Sequence, residues 1–596
     1  MIKLSDYVFK YLASIGVEDV FMLSGGGCMH LVNSLGKNEK INYRCCLFEQ
    51  VVSVAAGAYA QYKNELGVGL VTTGPGGTNA VTGVACAWSD SIPLLMISGQ
   101  VKTSDISHNT VRTLGFQELD IVSVVKPITK YAVTVTNPED IAYELEKCVD
   151  IALSGRFGPV WIDIPLDVQA SMIDENNLKH YSKEEKENQI PKETVEKALS
   201  LIKSAERPVI IAGYGIKTSN SKEKLIEFAK AANIPILLTW KAMDLIEAEN
   251  DLYMGRPGCI GQRYANFIQQ NSDLIISLGA RLDFGQIGYN HLEFAPKAKK
   301  IIVDVDECEL NKFKFETDLS IAANVKDFLE AANEELSKRN EKYDRKEWLE
   351  YCRNLKRKYP VINDNNCNTA DGTSTYYLMK CLNEASDENY VFAPGNSGAC
   401  SEIFCQAYSV KKGQRVVTTN TLGSMGTGIP SSIGSCVASG MKMTVCVNGD
   451  GGFQMNIQDL ETVRRLKLPI KYFVLNNKGY GSIRNSQDNY FEGFYVGAEA
   501  GSGVTLPSLK DVANTYKLHY HLIENNEDME KTVREVLYED GPSICELMVS
   551  SEEKTLPRTK SMVLENGGMK SMPFEDLFPF LDRNEFNENM IISEKE

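Results

Sequence analysis

The sequence has no C-x-x-C pair, no basic block, no uninterrupted apolar leader and only six histidines. Each shortage removes a class of protein. Fifteen cysteines are present, but they are scattered, and Cys45 and Cys46 are the only adjacent two. That spacing reads as reduced, buried thiols of a cytoplasmic protein and not as a disulfide framework. His519 and His521 form the one close histidine pair, and no cysteine flanks them at zinc spacing. The start, MIKLSDYVFKYLASIGV, reads as an amphipathic helix carrying Asp6 and Lys10, where a secretion signal needs an apolar run. With 63 Lys and Arg against 79 Asp and Glu, the net charge is −16, which leaves no electrostatic footprint for nucleic acid or an anionic membrane. An anionic ligand must be held by local groups against that field.

What is present is an ordinary globular composition, 43% apolar and 24% charged, in a chain of 596 residues that is too long for one core. Two stretches, 66–89 and 416–441, carry no charge and exceed the roughly 18 residues that raise a transmembrane suspicion. Their Gly, Ser, Thr, Asn and Pro content reads instead as buried strand–loop–helix corners. One such corner near each end hints at two related domains. Residues 174–193 have a charged linker composition, and 335–360 are similarly charged with a helical pattern ending at Pro360. Dividing the chain there predicts an N-terminal domain at 1–175, a central domain at 190–335 and a third domain at 370–550. Residues 551–596, with aromatics and prolines but little periodicity, read as a C-terminal arm or lid. PVIIAGYG, IPILLTW, LIISLGARL and KIIVDVD are buried-strand candidates in the middle third. Their alternation with helical patterns predicts an α/β chain of three doubly wound parallel-sheet domains.

The sharpest local signal lies in residues 443–477. MTVCVN reads as a strand, Gly449-Asp450-Gly451-Gly452 as the turn after it, and Ile457, Leu460, Val463 and Leu466 as one face of a helix. IKYFVL is a second strand, ending at Asn476-Asn477. In a βαβ unit both strand ends fall on one edge, so Asp450 and Asn477 are neighbours where open α/β sheets bind ligands. A carboxylate and an amide oxygen suit a hard cation such as Mg²⁺, which completes its shell with phosphate and water. The glycines let backbone N–H groups approach phosphates.

G-D-G, 24 intervening residues and Asn-Asn resemble the diphosphate-and-Mg²⁺ motif of thiamine diphosphate enzymes. The resemblance implies Asp450, Asn477 and the carbonyl of Gly479 as metal ligands. It also implies a glutamate that hydrogen-bonds the cofactor's aminopyrimidine ring, and Glu49 stands at the junction of INYRCCLF and the helical EQVVSVAAGAYAQY. Flanked by Leu47, Phe48, Val51 and Val52, that carboxyl is expected to be partly desolvated and able to act as a proton donor. The segment from Phe48 through Val101 is similar to the acetolactate synthase large-subunit branch, and so is GFQELDIVSVVKPITKYAV. There the resemblance places Phe116, Gln117 and Lys130 near the substrate, in catalytic roles beside Glu49. TLGSMGTGIPSSIG matches the segment whose methionine, here Met425, supports the cofactor between its two rings.

The implied cofactor-binding set is Gly26, Gly27, Asn79, Gly395, Asn396, Ser397, Gly423, Met425, Gly449, Asp450, Gly451, Gly452, Asn477, Gly479, Tyr480 and Gly481. By the same resemblance the activity is a thiamine diphosphate-dependent, decarboxylative carboligation of a 2-keto acid, pyruvate foremost, onto a second carbonyl compound. The enzyme would be a homodimer or homotetramer. Four departures bear on this. There is no adjacent His-His pair, and His108 stands alone, which favours carboligation over plain 2-keto acid decarboxylation. Ser482 and Ser486 fall where the branch has Met and Trp. Exchanging an indole for a hydroxymethyl frees on the order of 100 Å³, room for a larger, polar acceptor such as the keto-sugar nucleotides of surface-polysaccharide carboligases. FAD is the third: GARLDFGQIG keeps Arg281 and Asp283 of a flavin-binding segment, and GRFGPVWIDIP keeps Arg156, while a second Asp and Arg are lost. LSGGG also replaces the branch's YPGG turn.

Overall fold

The computed structural model describes residues 1–108, 110–183, 190–339, 342–550, 553–563 and 569–592. The chain forms two compact units. One comprises Met1–Glu185, Asn389–Ser401 and Arg415–Val549; the other comprises Lys186–Glu388, Glu402–Gln414 and Ser550–Glu596.

The first unit holds two six-stranded parallel sheets. The N-terminal sheet is built from Asp19–Met22, Asn42–Cys45, Gly67–Val71, Leu94–Gln100, Tyr131–Thr134 and Val160–Pro165. The C-terminal sheet is built from Val391–Phe392, Arg415–Val416, Thr444–Gly449, Ile470–Asn476, His519–Ile523 and Ser543–Met548. Numbered within its own domain, each sheet has the spatial order 2-1-3-4-6-5. The two sheets are thus copies of one topology, although the charge-free stretches that hinted at it are not equivalent: 66–89 takes in the third strand of its sheet, and 416–441 starts at the end of the second. Central strands such as Leu94–Gln100 are buried at every position, as expected of parallel strands covered on both faces.

Helix Glu49–Lys63 begins where the sequence predicts, with three residues between it and the strand Asn42–Cys45 within INYRCCLF. Its Ala, Val and Gly residues are buried almost all round. It packs on helices Pro75–Asp90 and Gly428–Ala438, so there is no solvent face for polar residues to occupy. Asn64, in the left-handed conformation at φ 60°, ends it.

The second unit holds a five-stranded parallel sheet, Pro208–Ala212, Ile236–Leu238, Leu274–Leu278, Lys299–Asp304 and Leu319–Ala322, in the order 2-1-3-4-5. The first four are the strands predicted; the fifth, an edge strand with one buried residue, carries too weak an apolar signal to be read. Helices cover both faces. One of them, Lys346–Lys358, lies in the charged stretch 335–360 and buries Trp348, Leu349, Cys352 and Leu355. Its charges face water while a stripe at helical spacing joins the core, so this stretch is a structural element of the unit. The C-terminal segment packs on the same unit. The Arg263 guanidinium donates to the carbonyls of Leu577 (3.0 Å) and Pro579 (2.6 Å), and Asn266 Nδ2 to that of Phe574 (2.8 Å). All fifteen cysteines are free. Among the described residues no helix is long and apolar enough to cross a membrane, and no cluster of His, Cys, Asp and Glu is arranged for a metal.

Candidate functional site

In a 2-1-3-4 sheet the connections diverge between the first and third strands, leaving a crevice at their C-terminal ends. Each sheet of the first unit places glycines singled out in the sequence there, Gly26 and Gly27 in one and Gly395 and Gly449–Gly452 in the other.

In the N-terminal sheet the first strand leads to Gly26 and Gly27, and the third to Thr72, Thr73 and the helix at Pro75. Gly27 N donates to Thr72 Oγ1 at 3.2 Å, and Gln169 Nε2 donates to the Gly27 carbonyl at 2.8 Å. A β-carbon on Gly27 would lie 1.8 Å from Thr73 Oγ1; the close approach of these loops requires glycine. Glu49 is 8% exposed, and its Oε2 accepts from Asn79 Nδ2 at 3.0 Å. Asn79, read from the sequence as a cofactor contact, is therefore also the group that orients the carboxyl.

The segment carrying Phe116 and Gln117 forms a loop beside this corner. Glu118 closes it, its carboxylate accepting from Ser107 N (2.6 Å), Leu114 N (2.5 Å) and Gly115 N (3.3 Å). Those bonds hold the carboxyl down at about 2 against the opposing effect of desolvation. Gln117 sits at φ 64° with its carbonyl against Gly74, and Phe116 is 88% exposed at the tip. Lys130 is occupied elsewhere: its ammonium donates to the carbonyls of Ile151 and Ser154, where helix Ile141–Leu153 ends. Burial lowers its pKa to about 8. Arg156 donates from Nε to Ser91 Oγ at 2.9 Å.

In the C-terminal sheet the corresponding corner holds Gly395, Asn396 and Ser397 after the first strand and Gly449–Gly452 after the third. Asn396 is 3% exposed; its Nδ2 donates to Thr427 Oγ1 (2.8 Å) and the Thr419 carbonyl (3.1 Å), while its Oδ1 has no hydrogen-bond partner. Asp450 is pinned from two sides: Oδ1 accepts from Gly451 N at 2.8 Å and Oδ2 from Gly479 N at 3.0 Å. Burial nevertheless raises its pKa to about 6, opposed by those bonds and the Arg484 charge. A desolvated carboxylate of this kind is stabilised by a bound cation. Asn477 Oδ1 is buried with no donor. The cross-strand register that pairs Gly449 with Leu475 brings the two loops side by side.

Gly479, at φ 140°, sits where a β-carbon would lie 2.2 Å from the Ala498 carbonyl, and Tyr480 N donates to that carbonyl at 2.8 Å. The Tyr480 ring lies beside Gly451, with the Met425 methyl on the same side of that backbone. Gly423 is another left-handed glycine, at φ 66° in the loop before Met425. Gly481 opens helix Gly481–Tyr490, on which Ser482 and Ser486 are both exposed. A β-carbon on Gly398 would lie 2.9 Å from Ser482 Oγ, so this serine borders the Gly395–Gly398 loop.

Sequence reasoning missed Asn448 and Asn456. Asn448 is 1% exposed, lies against Gly395 and Gly428, and leaves Nδ2 unpartnered. Asn456 Nδ2 donates to the Gly426 carbonyl at 2.7 Å, tying the Met425 loop to the segment after G-D-G. Their signal is an amide flanking G-D-G on each side. The fit to a divalent cation rests on Asp450 and Asn477, two buried hard oxygen donors, one of them without a hydrogen-bond partner. The fit to a diphosphate rests on the glycine-rich loops at the crevice.

In the second unit Arg281 stands at the same kind of switch point, at φ 58° after the third strand. Its Nε is 3.8 Å from Glu309 Oε1, and its carbonyl accepts from Lys312 Nζ at 2.6 Å.

Three family descriptions match the chain: "Thiamine pyrophosphate enzyme, N-terminal TPP binding domain" over residues 2–124, the central domain over 195–332 and the C-terminal TPP binding domain over 396–547. The acetolactate synthase isozyme 1 large subunit of Escherichia coli K12 is 30% identical over 554 residues, covering 93% of this chain and 95% of its own. The acetolactate synthase large subunit of Lactococcus lactis is also 30% identical, covering 93% of each chain. That of Cyanidium caldarium is 30% identical over 91% of this chain and 92% of its own. Matched along nearly its whole length and carrying the diphosphate corner in the geometry just described, the chain belongs to the thiamine pyrophosphate enzymes, beside the acetolactate synthase large subunits.

Proposed function

We propose that the protein catalyses a thiamine diphosphate-dependent carboligation in which a 2-keto acid, pyruvate foremost, loses CO₂ and its remaining two carbons join a second carbonyl compound. The observation that carries this reading is the buried Asn477 Oδ1, without a donor, beside the pinned carboxylate of Asp450. Asp450, Asn477 and the Gly479 carbonyl would hold Mg²⁺, and Gly395–Ser397 with Gly449–Gly452 would receive the diphosphate. The bound cofactor supplies a nucleophilic thiazolium carbon and the electron sink for decarboxylation. Glu49 holds or gives a proton at the aminopyrimidine, with Asn79 fixing its orientation. Met425 supports the cofactor from the Gly-rich loop, and Phe116 and Gln117 are presented at the tip of a closed loop to bind substrate. Lys130, held on two carbonyls, supports the fold of that region.

FAD is proposed as a second, non-redox cofactor. Gly213 and Gly215 donate to the carbonyls of Leu278 and Gly279, each at 3.0 Å. Those amides are thus engaged, and the negative charge of a flavin dinucleotide would fall to Arg281. Absorbance near 450 nm in the purified protein tests this. A cytoplasmic homodimer or homotetramer completes the reading; light scattering of the purified chain checks its assembly.

A second reading of the acceptor is favoured by one observation: Ser482, at the border of the Gly395–Gly398 loop, and Ser486, one turn further along the same helix, are both exposed and neither carries a bulky side chain. They leave room for an acceptor larger and more polar than pyruvate, such as a keto-sugar nucleotide. Mass spectrometry of products formed with thiamine diphosphate, Mg²⁺ and pyruvate, with and without a keto-sugar nucleotide, decides between them. Acetolactate from pyruvate alone establishes the first reading, and a two-carbon adduct only with the sugar establishes the second. Free acetaldehyde as the sole product rejects both.

A further inference from the structure

The metal corner contains one side chain that neither the motif nor the proposed reaction accounts for. Arg484 lies on helix Gly481–Tyr490 with its side chain only 15% exposed. Its Nη2 donates to the backbone carbonyl of Asn477 at 2.8 Å. Nη1 is buried without a hydrogen-bond acceptor, 3.9 Å from Glu499 Oε2. A β-carbon on Gly479 would lie 3.3 Å from Nη1 and one on Gly481 3.9 Å from Nη2, so the guanidinium spans the loop 477–481. The other side of that loop is held by the Tyr480 N to Ala498 carbonyl bond.

We infer that Arg484 is a positioning residue for the metal site: by holding the Asn477 carbonyl it fixes the peptide from which the unpartnered Oδ1 is presented beside Asp450. This rests on the proposed reading of Asp450 and Asn477 as metal ligands. Coulomb's law alone gives the opposite expectation, because a guanidinium beside a divalent cation repels it. A positioning role and a purely electrostatic one therefore differ in sign. Outer contacts that orient metal ligands are each worth about 10–100-fold in affinity.

The test is Mn²⁺ binding followed by the electron paramagnetic resonance of free Mn²⁺, with the full-length protein at saturating thiamine diphosphate. R484M is expected to weaken Mn²⁺ by about tenfold or more while circular dichroism shows the native fold. R484K, which keeps a donor for the carbonyl, is expected to recover part of that loss. Should R484M fold poorly, R484Q provides the same comparison. Unchanged or tighter Mn²⁺ binding in a folded R484M or R484Q overturns the inference. N477A separates the two levels: Mn²⁺ binding lost in N477A but intact in R484M rejects only the role of Arg484. Mn²⁺ binding intact in N477A rejects the ligand assignment, and this inference with it.

Discussion

The two sheets of the first unit share a strand order of 2-1-3-4-6-5 and parallel pairing throughout, yet their corners hold carboxylates in opposite ways. In the N-terminal sheet Glu49 opens a helix and meets a single amide, that of Asn79. In the C-terminal sheet Asp450 is fixed by two backbone N–H groups, with an unpartnered amide oxygen alongside. One corner gives a buried carboxyl a single side-chain amide donor; the other fixes a carboxylate on two backbone N–H groups beside an amide oxygen that has no partner. Shared topology placed both at a crevice, and the immediate hydrogen-bond partners decided the chemistry.

The largest break in this comparison is expected from E49Q. It should lower kcat by about 10²–10⁴-fold, the range for losing an acid–base group, while thiamine diphosphate and Mg²⁺ still bind, as calorimetry would show. N477A should do the converse, raising the Mg²⁺ requirement by more than the roughly 10–100-fold of an outer contact, measured as activity against Mg²⁺ concentration. In G479A a side chain is forced to φ 140° and against the Ala498 carbonyl, which should destabilise the metal loop by about 1–3 kcal/mol, read as a lower melting temperature. N79A removes only the orienting amide from Glu49 and should cost about 1 kcal/mol, roughly fivefold in kcat, with metal affinity unchanged.

The smallest effect concerns a buried carboxyl beneath the N-terminal corner. Asp163 accepts from Ser98 Oγ (2.5 Å) and Gln100 Nε2 (3.1 Å), and burial pushes its pKa up to about 7. Between its ordinary value, about 4, and about 7 the folded chain keeps a proton that the unfolded chain has lost. Folding therefore weakens as pH rises through that window, and this contribution is gone above it. The melting temperature of the wild type should accordingly fall more steeply, or rise less, between about pH 4.5 and about pH 7 than that of D163N.

Much of this was legible in the residues. The helix at Glu49, the G-D-G turn, the paired strands after it and four of the five central strands follow from apolar runs and glycine punctuation. The edge strand Leu319–Ala322 was hidden because its burial is partial, and the helix Lys346–Lys358 was legible as a helical pattern while the stripe it buries was masked by the charges around it. The partners of Lys130 were not legible either: a lysine reads the same in sequence whether its ammonium faces open space or, as here, the carbonyls of Ile151 and Ser154.

By itself the sequence determined the class of fold, because that depends on apolar runs, local period and glycine punctuation, and its resemblance to the thiamine diphosphate enzymes singled out Glu49, Asp450 and Asn477 as candidate site residues. Only the tertiary structure decided which partner each group meets. Asn79 lies 30 residues from Glu49, the Gly479 amide 29 from Asp450, and Asn396 reaches Thr427 across 31. Hydrogen bonds of about 3 Å between residues so far apart are set by strand order and close packing, which no local pattern encodes.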